Sequence, residues 1–256
     1  MEKQNHLTII LAVGLVLVAL FLALNSKSNI AASNNGLERN TLSVSGTSTL
    51  TVEPNKAEIY VKIVTLEKTA QESKNKNSQI SSNVIKALKK ENVKDKDIET
   101  SQFVIYPKYD YQEVTENNLR TSKQILLGYE VTNVLKVTTQ DLEKVGKLVD
   151  VSVGSGANEI ESISFGLTKD KEKEIKQQAM IAASDDAKDK AVALVTNLGV
   201  TMLKPISISE SNFVYQPFNV YSGSAAFAKA APAAETVINP QKLDVSASVN
   251  LVYEIR

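Results

Sequence analysis

The sequence lacks cysteine and tryptophan, and its only histidine is His6 near the N-terminus. Without cysteine, the chain has no disulfide bond, no thiolate nucleophile, no cysteine-ligated metal and no lipid-modified cysteine of a lipoprotein. Without histidine after residue 6, a Ser-His-Asp triad, a histidine general base and a histidine metal site are excluded from the rest of the chain. We therefore expect no catalytic residue, no metal and no cofactor, and we predict that the protein is not an enzyme.

A surplus of positive charge is also missing. The 29 lysine and arginine residues balance the 29 aspartate and glutamate residues, so the formal net charge is zero. Because nucleic-acid-binding domains concentrate basic residues on one face, we expect no nucleic-acid partner. The hydrophobic content of 43% and the charged content of 23% are those of a folded globular protein.

One long apolar run lies near the N-terminus, where residues 7–24 read LTIILAVGLVLVALFLAL without a charge. As a helix this run spans roughly 27 Å, close to the hydrocarbon core of a bilayer at about 30 Å. A cleaved signal peptide is the alternative, although its apolar region is usually shorter and is followed by a small-residue cleavage site. We predict a tail at 1–6, a transmembrane signal-anchor at 7–24, a flexible tether at 25–38 and a domain over 39–256.

The predicted domain lies outside the cytoplasm, in the periplasm or at the cell surface. We favour this orientation because a large domain follows a very short N-terminal tail, as in exported signal-anchor proteins. Cleavage of the apolar segment would make the domain secreted.

Apolar periodicity predicts an α+β domain with a mixed sheet of about seven strands and three packed helices, in the order β-β-α-β-β-α-β-α-β-β. The first two strands read as a hairpin around Pro54-Asn55. Polar residues predict a loop at 112–123, and low complexity predicts a mobile loop at 212–241. We expect strands at 42–51, 56–65, 98–111, 124–138, 159–165, 205–211 and 243–255, and helices at 69–91, 141–153 and 169–198.

The last helix has clear boundary signals. Thr168 is a predicted N-cap, and Gly199 is a predicted C-terminal cap. Small residues on one side allow close packing on a sheet, so we expect an inner ridge of Ala179, Ala183, Ala187, Leu194 and Leu198.

Several blocks resemble the SIMPL domain family and follow one another in its order. VSGTSTLTVEPNKAEIYV at 44–61 resembles the opening strands of that family, and DIETSQFVIYPKYDY at 97–111 resembles its Pro-x-Tyr-x-Tyr block. GYEVTNVLKVTTQDLEKVGKLVD at 128–150, GANEIESISFGL at 156–167 and the C-terminal strand are similar to later blocks. The sequence departs from the family pattern at Ser48, where a glycine is usual, and at Asn55, where an aspartate is usual.

The resemblance implies a fold and a compartment. Members of the family are largely exported or periplasmic, and some are known as immunogenic or oxidative-stress-defence proteins of unknown molecular function. The family has no agreed active site, so the resemblance transfers no catalytic residue.

Three other patterns have a functional and a plainer interpretation. Gly154-Ser155-Gly156 is faintly similar to a phosphate loop, but a helix precedes it and a strand follows it, the reverse of the required order. Asp185, Asp186 and Asp189 offer oxygen ligands, but lysines interleave with them on one helix, so a solvated face is favoured. No spacing selects a catalytic pair among the acidic residues Glu53, Glu58, Glu67, Asp97, Glu99 and Asp110.

Aromatic residues are the candidate contact surface. They fall into two groups, one around Pro107 and one in the loop after 211, and aromatic side chains are enriched at protein interfaces. The candidate interface residues are Tyr106, Tyr109, Tyr111, Phe213, Tyr215, Phe218 and Tyr221.

These observations predict a non-enzymatic module that is tethered to the membrane outside the cytoplasm and acts through protein contacts. We expect it to form homo-oligomers, and envelope stress response is a candidate process. The partners are the membrane, through residues 7–24, and further copies of the chain. The alternative is small-molecule binding or scavenging in a cleft between the last helix and the sheet. A hydrolase that uses carboxylates alone is a third hypothesis, and it requires two carboxylates in one cleft.

Overall fold

A computed structural model describes residues 39–116, 119–221 and 236–256, of which Thr41–Arg256 belong to one compact unit. The predicted tail at 1–6, the membrane segment at 7–24 and the tether at 25–38 lie outside the described residues. Within the described ranges, no helix is both long enough and apolar enough to cross a bilayer.

Eight strands and three α-helices make up the described part of the chain, together with single 3₁₀ turns at Asp95–Asp97 and Leu142–Lys144. The three α-helices confirm the α+β prediction and its helix count. In chain order the elements are β1 Thr41–Val52, β2 Lys56–Glu67, α1 Ala70–Lys90, β3 Ile98–Glu116, β4 Leu119–Thr139, α2 Val145–Gly154, β5 Glu159–Gly166, α3 Lys169–Leu198, β6 Met202–Tyr215, β7 Phe218–Tyr221 and β8 Leu243–Ile255.

The strands form two sheets, where the sequence had predicted a single mixed sheet of about seven strands. The first sheet has the order β1-β8-β6, and the second has the order β3-β4-β2-β5-β7. Each neighbouring pair of described strands is antiparallel. The eighth strand is β7, which lies inside the predicted loop 212–241.

The predicted hairpin of β1 and β2 is wrong, because the two strands belong to different sheets. The Asn55 side chain lies in the connection that leads from β1 in one sheet to β2 in the other, and it binds the start of α3. Its Oδ1 accepts a hydrogen bond from the Thr168 backbone N–H at 2.8 Å, and its Nδ2 lies 3.0 Å from the Thr168 hydroxyl. Asn55 thus fixes the connection to the start of α3 instead of closing a tight turn.

The five-stranded sheet buries one face under α1 and α2. Alternate residues of β2 point into this core and are fully buried, namely Ala57, Ile59, Val61 and Ile63. Val84 and Leu88 from α1 and Leu148 from α2 pack against them. A capping box of Thr69 and Glu72 starts α1.

The first half of α1 is held by polar contacts. Asn77 is fully buried, and its Nδ2 donates to the carbonyl oxygens of Ile63 at 3.0 Å and Val131 at 3.3 Å. Asn133 on β4 donates from Nδ2 to the Ser81 hydroxyl at 2.8 Å. Buried polar groups of this kind need partners, because an unpaired one costs its full desolvation penalty. Asn133 Oδ1 has no hydrogen-bond partner among the described residues.

The three-stranded sheet is covered by α3, whose predicted boundaries are confirmed. Thr168 caps its N-terminus, and Gly199 ends it in the left-handed conformation at φ 64°. Ala179, Ala183 and Ala187 are fully buried, as predicted. A Cβ at Gly46 of β1 would collide with the Ala183 carbonyl oxygen, so the two backbones approach as closely as glycine allows.

The predicted ridge of α3 is wrong in its last turns. Leu194 is 44% exposed and Leu198 is 68% exposed, whereas Ala191 and Val195 are buried. The buried residues continue at a spacing of four, and such a ridge is inclined to the helix axis. The two leucines, at a spacing of three from Ala191 and Val195, therefore lie off the contact line.

The predicted loop at 112–123 is also wrong where the structure describes it. β3 continues to Glu116 and β4 begins at Leu119, and Pro107 interrupts neither the strand nor its pairing. β3 is an edge strand, where a residue without an N–H is tolerated. Polar residues suit the described positions 112–113 and 120–123, because their side chains are exposed. In the second predicted loop, β6 extends to Tyr215, and residues 222–235 lie outside the described ranges.

Candidate interaction surface

A two-stranded ribbon extends from one edge of the five-stranded sheet. β2 ends at Glu67, opposite Tyr129 of β4. The part of β4 that precedes Tyr129, residues 119–128, therefore has β3 as its one described neighbouring strand. We call residues 108–116 and 119–128 the ribbon. An isolated two-stranded ribbon is marginally stable in water, because neither face is covered. Further contacts would therefore stabilise the ribbon.

Two backbone features set the direction in which the ribbon leaves the sheet. Gly128 has φ 154°, and a Cβ there would collide with the Glu67 carbonyl oxygen. Lys108 pairs with Gly128 and Tyr109 pairs with Leu126, so Leu127 is an extra residue on β4. Such a bulge bends the strand and increases its twist.

A charged cluster stabilises the root of the ribbon. The Glu130 carboxylate accepts hydrogen bonds from the Tyr106 hydroxyl and from Lys108 Nζ, the latter at 2.6 Å. Burial alone would raise the pKa of Glu130, but the hydrogen bonds from Lys108 and Tyr106 outweigh it, and the pKa of Glu130 lies below its ordinary value. The hydrogen bond to Glu130 raises the pKa of Tyr106. The sequence alone did not single out Glu130.

One face of β3 carries a row of exposed apolar side chains. Alternate residues of a strand share a face, and Phe103, Ile105, Tyr109 and Tyr111 do so. They are 47%, 38%, 45% and 67% exposed, respectively. We call these four residues the apolar row. Exposed apolar rows on edge strands are typical of contact surfaces.

The predicted tyrosines around Pro107 divide between the two faces of β3. Tyr109 and Tyr111 belong to the apolar row, whereas Tyr106 faces the opposite side and binds Glu130. Phe103 and Ile105 were not predicted, because they belong to the continuous apolar run at 103–106, and such a run is typical of a buried strand.

The second predicted aromatic group is used mainly within the fold. The Phe218 and Phe165 rings stack with centroids 6.4 Å apart, and the Tyr215 hydroxyl accepts a hydrogen bond from the Leu167 N–H at 2.6 Å. The Phe213 ring lies 5.0 Å from Lys176 Nζ. Tyr221 pairs through its main chain with Ser162 of β5. An interface role for these four residues stays a prediction.

The cleft expected between the last helix and the sheet is filled, as the contact of Gly46 with Ala183 shows. A groove of about 480 Å³ lies instead on the face of the five-stranded sheet away from α1, beside Tyr106 and Glu130. Lys62 and Glu159 in its wall form an ion pair at 3.1 Å. A second cavity of about 320 Å³ lies at the C-terminal end of α1, beside Asp97 and Lys144.

The remaining sequence patterns have structural roles. Gly154-Ser155-Gly156 ends α2 and leads into β5, as the turn interpretation predicted. Asp186 accepts hydrogen bonds from Lys190 Nζ at 2.7 Å and from the Thr47 N–H at 2.8 Å, and these bonds lower its pKa. No group of three His, Cys, Asp or Glu side chains in the described ranges is placed to share a metal ion.

The acidic residues named as possible catalytic pairs are mostly engaged in ion pairs. Four of them form ion pairs, each with a different lysine. These pairs are Glu53 with Lys242, Glu58 with Lys56, Glu67 with Lys76, and Glu99 with Lys136.

Comparison with known proteins gives the chain a family. Residues 42–253 match the SIMPL model, described as a protein of unknown function, DUF541. The chain is 29% identical over 216 residues to the 26 kDa periplasmic immunogenic protein of Brucella melitensis, covering 84% of each chain. It is 28% identical over 196 residues to the uncharacterized protein YggE of Escherichia coli K12, covering 76% of each. YggE of Edwardsiella ictaluri is 26% identical over 213 residues, covering 82% of this chain and 85% of the relative. Because the family model spans almost the whole described fold, the chain belongs to the SIMPL family.

Proposed function

We propose that this protein is a non-enzymatic extracytoplasmic module, tethered to the membrane, that acts by self-association through its ribbon. Two observations carry the proposal: the ribbon, whose strands pair with each other alone in the described structure, and the apolar row, of which Tyr109 and Tyr111 lie on the ribbon while Phe103 and Ile105 precede it on β3. Full burial of one such side chain, relative to full exposure, contributes roughly 1.5–3 kcal/mol. Each residue of the apolar row is still more than one third exposed, so part of this free energy has not been gained within one copy. A second copy that covers the row would gain part of that free energy and would stabilise the ribbon.

The proposed compartment and tether rest on separate observations. The Brucella relative is named as periplasmic, and it covers most of the chain. Residues 7–24 are long and apolar enough to span a bilayer. Carbonate extraction of membranes tests the tether, and the intact mass of the extracted protein tests cleavage. A protein released by carbonate, or one lacking residues 7–24, would contradict the tether.

The non-enzymatic part of the proposal rests on residue types. The chain has no cysteine, and its sole histidine precedes the apolar segment. The acidic residues considered for acid–base chemistry largely pair with lysines. The family resemblance makes envelope stress response the first process to test, by oxidant challenge of a strain without the gene.

Self-association is tested with the full-length protein in detergent, by analytical ultracentrifugation over a range of concentrations. We expect an oligomer, and we expect the double variant Tyr109→Ser/Tyr111→Ser to dissociate at concentrations at which the wild type remains assembled. Leu198→Ser is the matched control, because Leu198 on α3 is 68% exposed and Tyr111 is 67% exposed. A wild type that stays monomeric at every concentration, or a control that dissociates equally, would overturn the proposal.

A further inference from the structure

The two strands of the ribbon carry opposite charges. Residues 109–116 of β3 contain Asp110, Glu113 and Glu116 and no basic residue. Residues 119–128 of β4 contain Arg120 and Lys123 and no acidic residue. We call these segments the acidic arm and the basic arm. The nearby Lys108 does not offset the acidic arm, because it binds Glu130 at the root.

The register of the ribbon places no acidic residue directly opposite a basic one. Across the pair, Asp110 stands opposite Ile125, Glu113 opposite Ser122, and Glu116 opposite Leu119. On the other strand, Lys123 stands opposite Gln112 and Arg120 opposite Thr115. No acidic residue therefore faces a basic one within the ribbon. Opposite charges that face each other directly across strands are stabilising and like charges are not. The nearest opposite charges within the ribbon, Asp110 with Lys123 and Glu113 with Arg120, are diagonal neighbours and not direct pairs, so the directly opposite positions leave this complementarity unused.

Both outer edges of the ribbon are open in the described structure. In the described structure, the acidic arm and the basic arm pair with each other and with no other strand. Each outer edge thus presents backbone N–H and C=O groups that another strand can pair with. An acidic arm against an acidic arm, or a basic arm against a basic arm, would bring like charges together. Pairing of the acidic arm of one copy with the basic arm of the next would form backbone hydrogen bonds between the two strands and would bring opposite charges together.

We propose that copies of this protein join head to tail, with the basic arm of one ribbon pairing with the acidic arm of the next. This inference rests on the self-association proposed above and specifies its geometry. A contact between two different patches does not close at two copies, so it produces a ring of three or more copies or an open filament. Because exposed charges contribute, the assembly weakens as salt concentration rises.

Two charge-reversed variants of the full-length protein test the pairing. Asp110→Lys/Glu113→Lys makes both arms basic, and Arg120→Glu/Lys123→Glu makes both arms acidic. Each variant alone should assemble at least tenfold more weakly than the wild type. An equimolar mixture should assemble again with the two variants alternating, because every contact then joins a basic arm to an acidic arm. A chain with all four changes should also assemble, because its two arms are simply exchanged in sign.

The readout is native mass spectrometry and ultracentrifugation in detergent, with far-UV circular dichroism as a check on folding. Asp185→Lys/Asp189→Lys on the exposed face of α3 is the matched control and should assemble as the wild type does. If the wild type assembles but the variants assemble equally well, or their mixture does not recover, the head-to-tail inference is overturned while self-association stands. An end state of two copies also overturns it, since a two-fold stack of ribbons closes there. A wild type that never assembles removes both proposals.

Discussion

Helices α1 and α3 each cover one sheet, but different contacts hold them. α3 lies on β1 and β8 through fully buried alanines, and Gly46 lets its backbone approach β1 closely. α1 lies on β2 and β4 through the apolar residues Val84 and Leu88 in its second half and through buried Ser and Asn side chains in its first half. Close packing of small residues tolerates no added volume, whereas a hydrogen-bonded contact tolerates no lost partner.

The largest expected effect is at Gly46, where added volume tests the packing of α3. Gly46→Val should lower the free energy of unfolding by about 3 kcal/mol, because the new side chain would collide with the Ala183 carbonyl and the helix must move. Urea unfolding followed by circular dichroism measures the change. Gly154→Ala is the control, because a Cβ there has no neighbour within 4 Å. Equal stability of Gly46→Val and the wild type would show that α3 is not closely packed.

The next effect is at Asn77, where loss of a side chain tests the polar contact of α1. Asn77→Ala should cost about 2 kcal/mol, because the partners of its buried amide lose a hydrogen bond inside the protein. Asn83→Ala, on the exposed side of the same helix, should change the free energy of unfolding by less than about 0.5 kcal/mol. A similar loss for both variants would contradict the role of the buried contact, because alanine has the higher helix propensity and propensity alone would stabilise both variants.

A smaller effect marks the end of the α3 ridge. Val195 is 8% exposed and Leu198 is 68% exposed. Val195→Ala should cost about 1 kcal/mol, because two buried methyl groups are lost, and Leu198→Ala should be near neutral. Urea unfolding of the two variants decides between the inclined ridge and the ridge predicted from sequence. A larger loss of unfolding free energy for Leu198→Ala than for Val195→Ala would show that Leu198, and not Val195, packs against the sheet.

The smallest effect is a pH dependence at the root of the ribbon. Hydrogen bonds from Lys108 and Tyr106 hold the pKa of Glu130 below its ordinary value in the folded protein. As pH falls past the ordinary value of about 4.3, the unfolded chain takes up the proton first, so the folded state loses stability. Glu130→Gln should therefore show a shallower loss of stability than the wild type between about pH 5 and pH 3. The exposed Glu143→Gln should follow the wild type, and identical curves for all three proteins would refute the role of Glu130.

Local patterns in the sequence predicted the elements whose faces differ in polarity. The alternation in β2 and β8 and the caps of α3 at Thr168 and Gly199 gave those boundaries within about two residues. These signals work because one face of each element is buried and the other is in water.

Two parts of the fold could not be predicted from local patterns. Residues 112–123 show no alternation of apolar and polar side chains, and the described side chains at 112–114 and 120–123 are exposed or half-buried, so no buried face leaves a periodic signal. The pairing of β1 with β8 depends on contacts such as the hydrogen bond between Thr49 and Ser246, which are separated by 197 positions. No local turn signal can report such a pair.

The candidate surface was predicted in part. Tyr109 and Tyr111 were chosen because aromatic side chains beside a predicted strand edge are enriched at protein interfaces. Phe103 and Ile105 resemble ordinary core residues, and their exposure follows only from the short reach of α1 over the edge strand. Glu130 gave no signal, because a single glutamate in a strand is common on a solvated face.

The pairing of the first strand with the last has a consequence for the order in which the protein is made. β8 stands between β1 and β6, and β1 pairs with it from Thr41 opposite Glu254 to Val52 opposite Leu243. Four strands of the other sheet, β2 to β5, are complete by residue 166. A chain that emerges from its N-terminus can therefore assemble most of one sheet early, while β1 has no paired strand until β8 has been made. A chain cut short before Leu243 would leave β1 without its paired strand and would uncover the part of the alanine face of α3 that packs on β8.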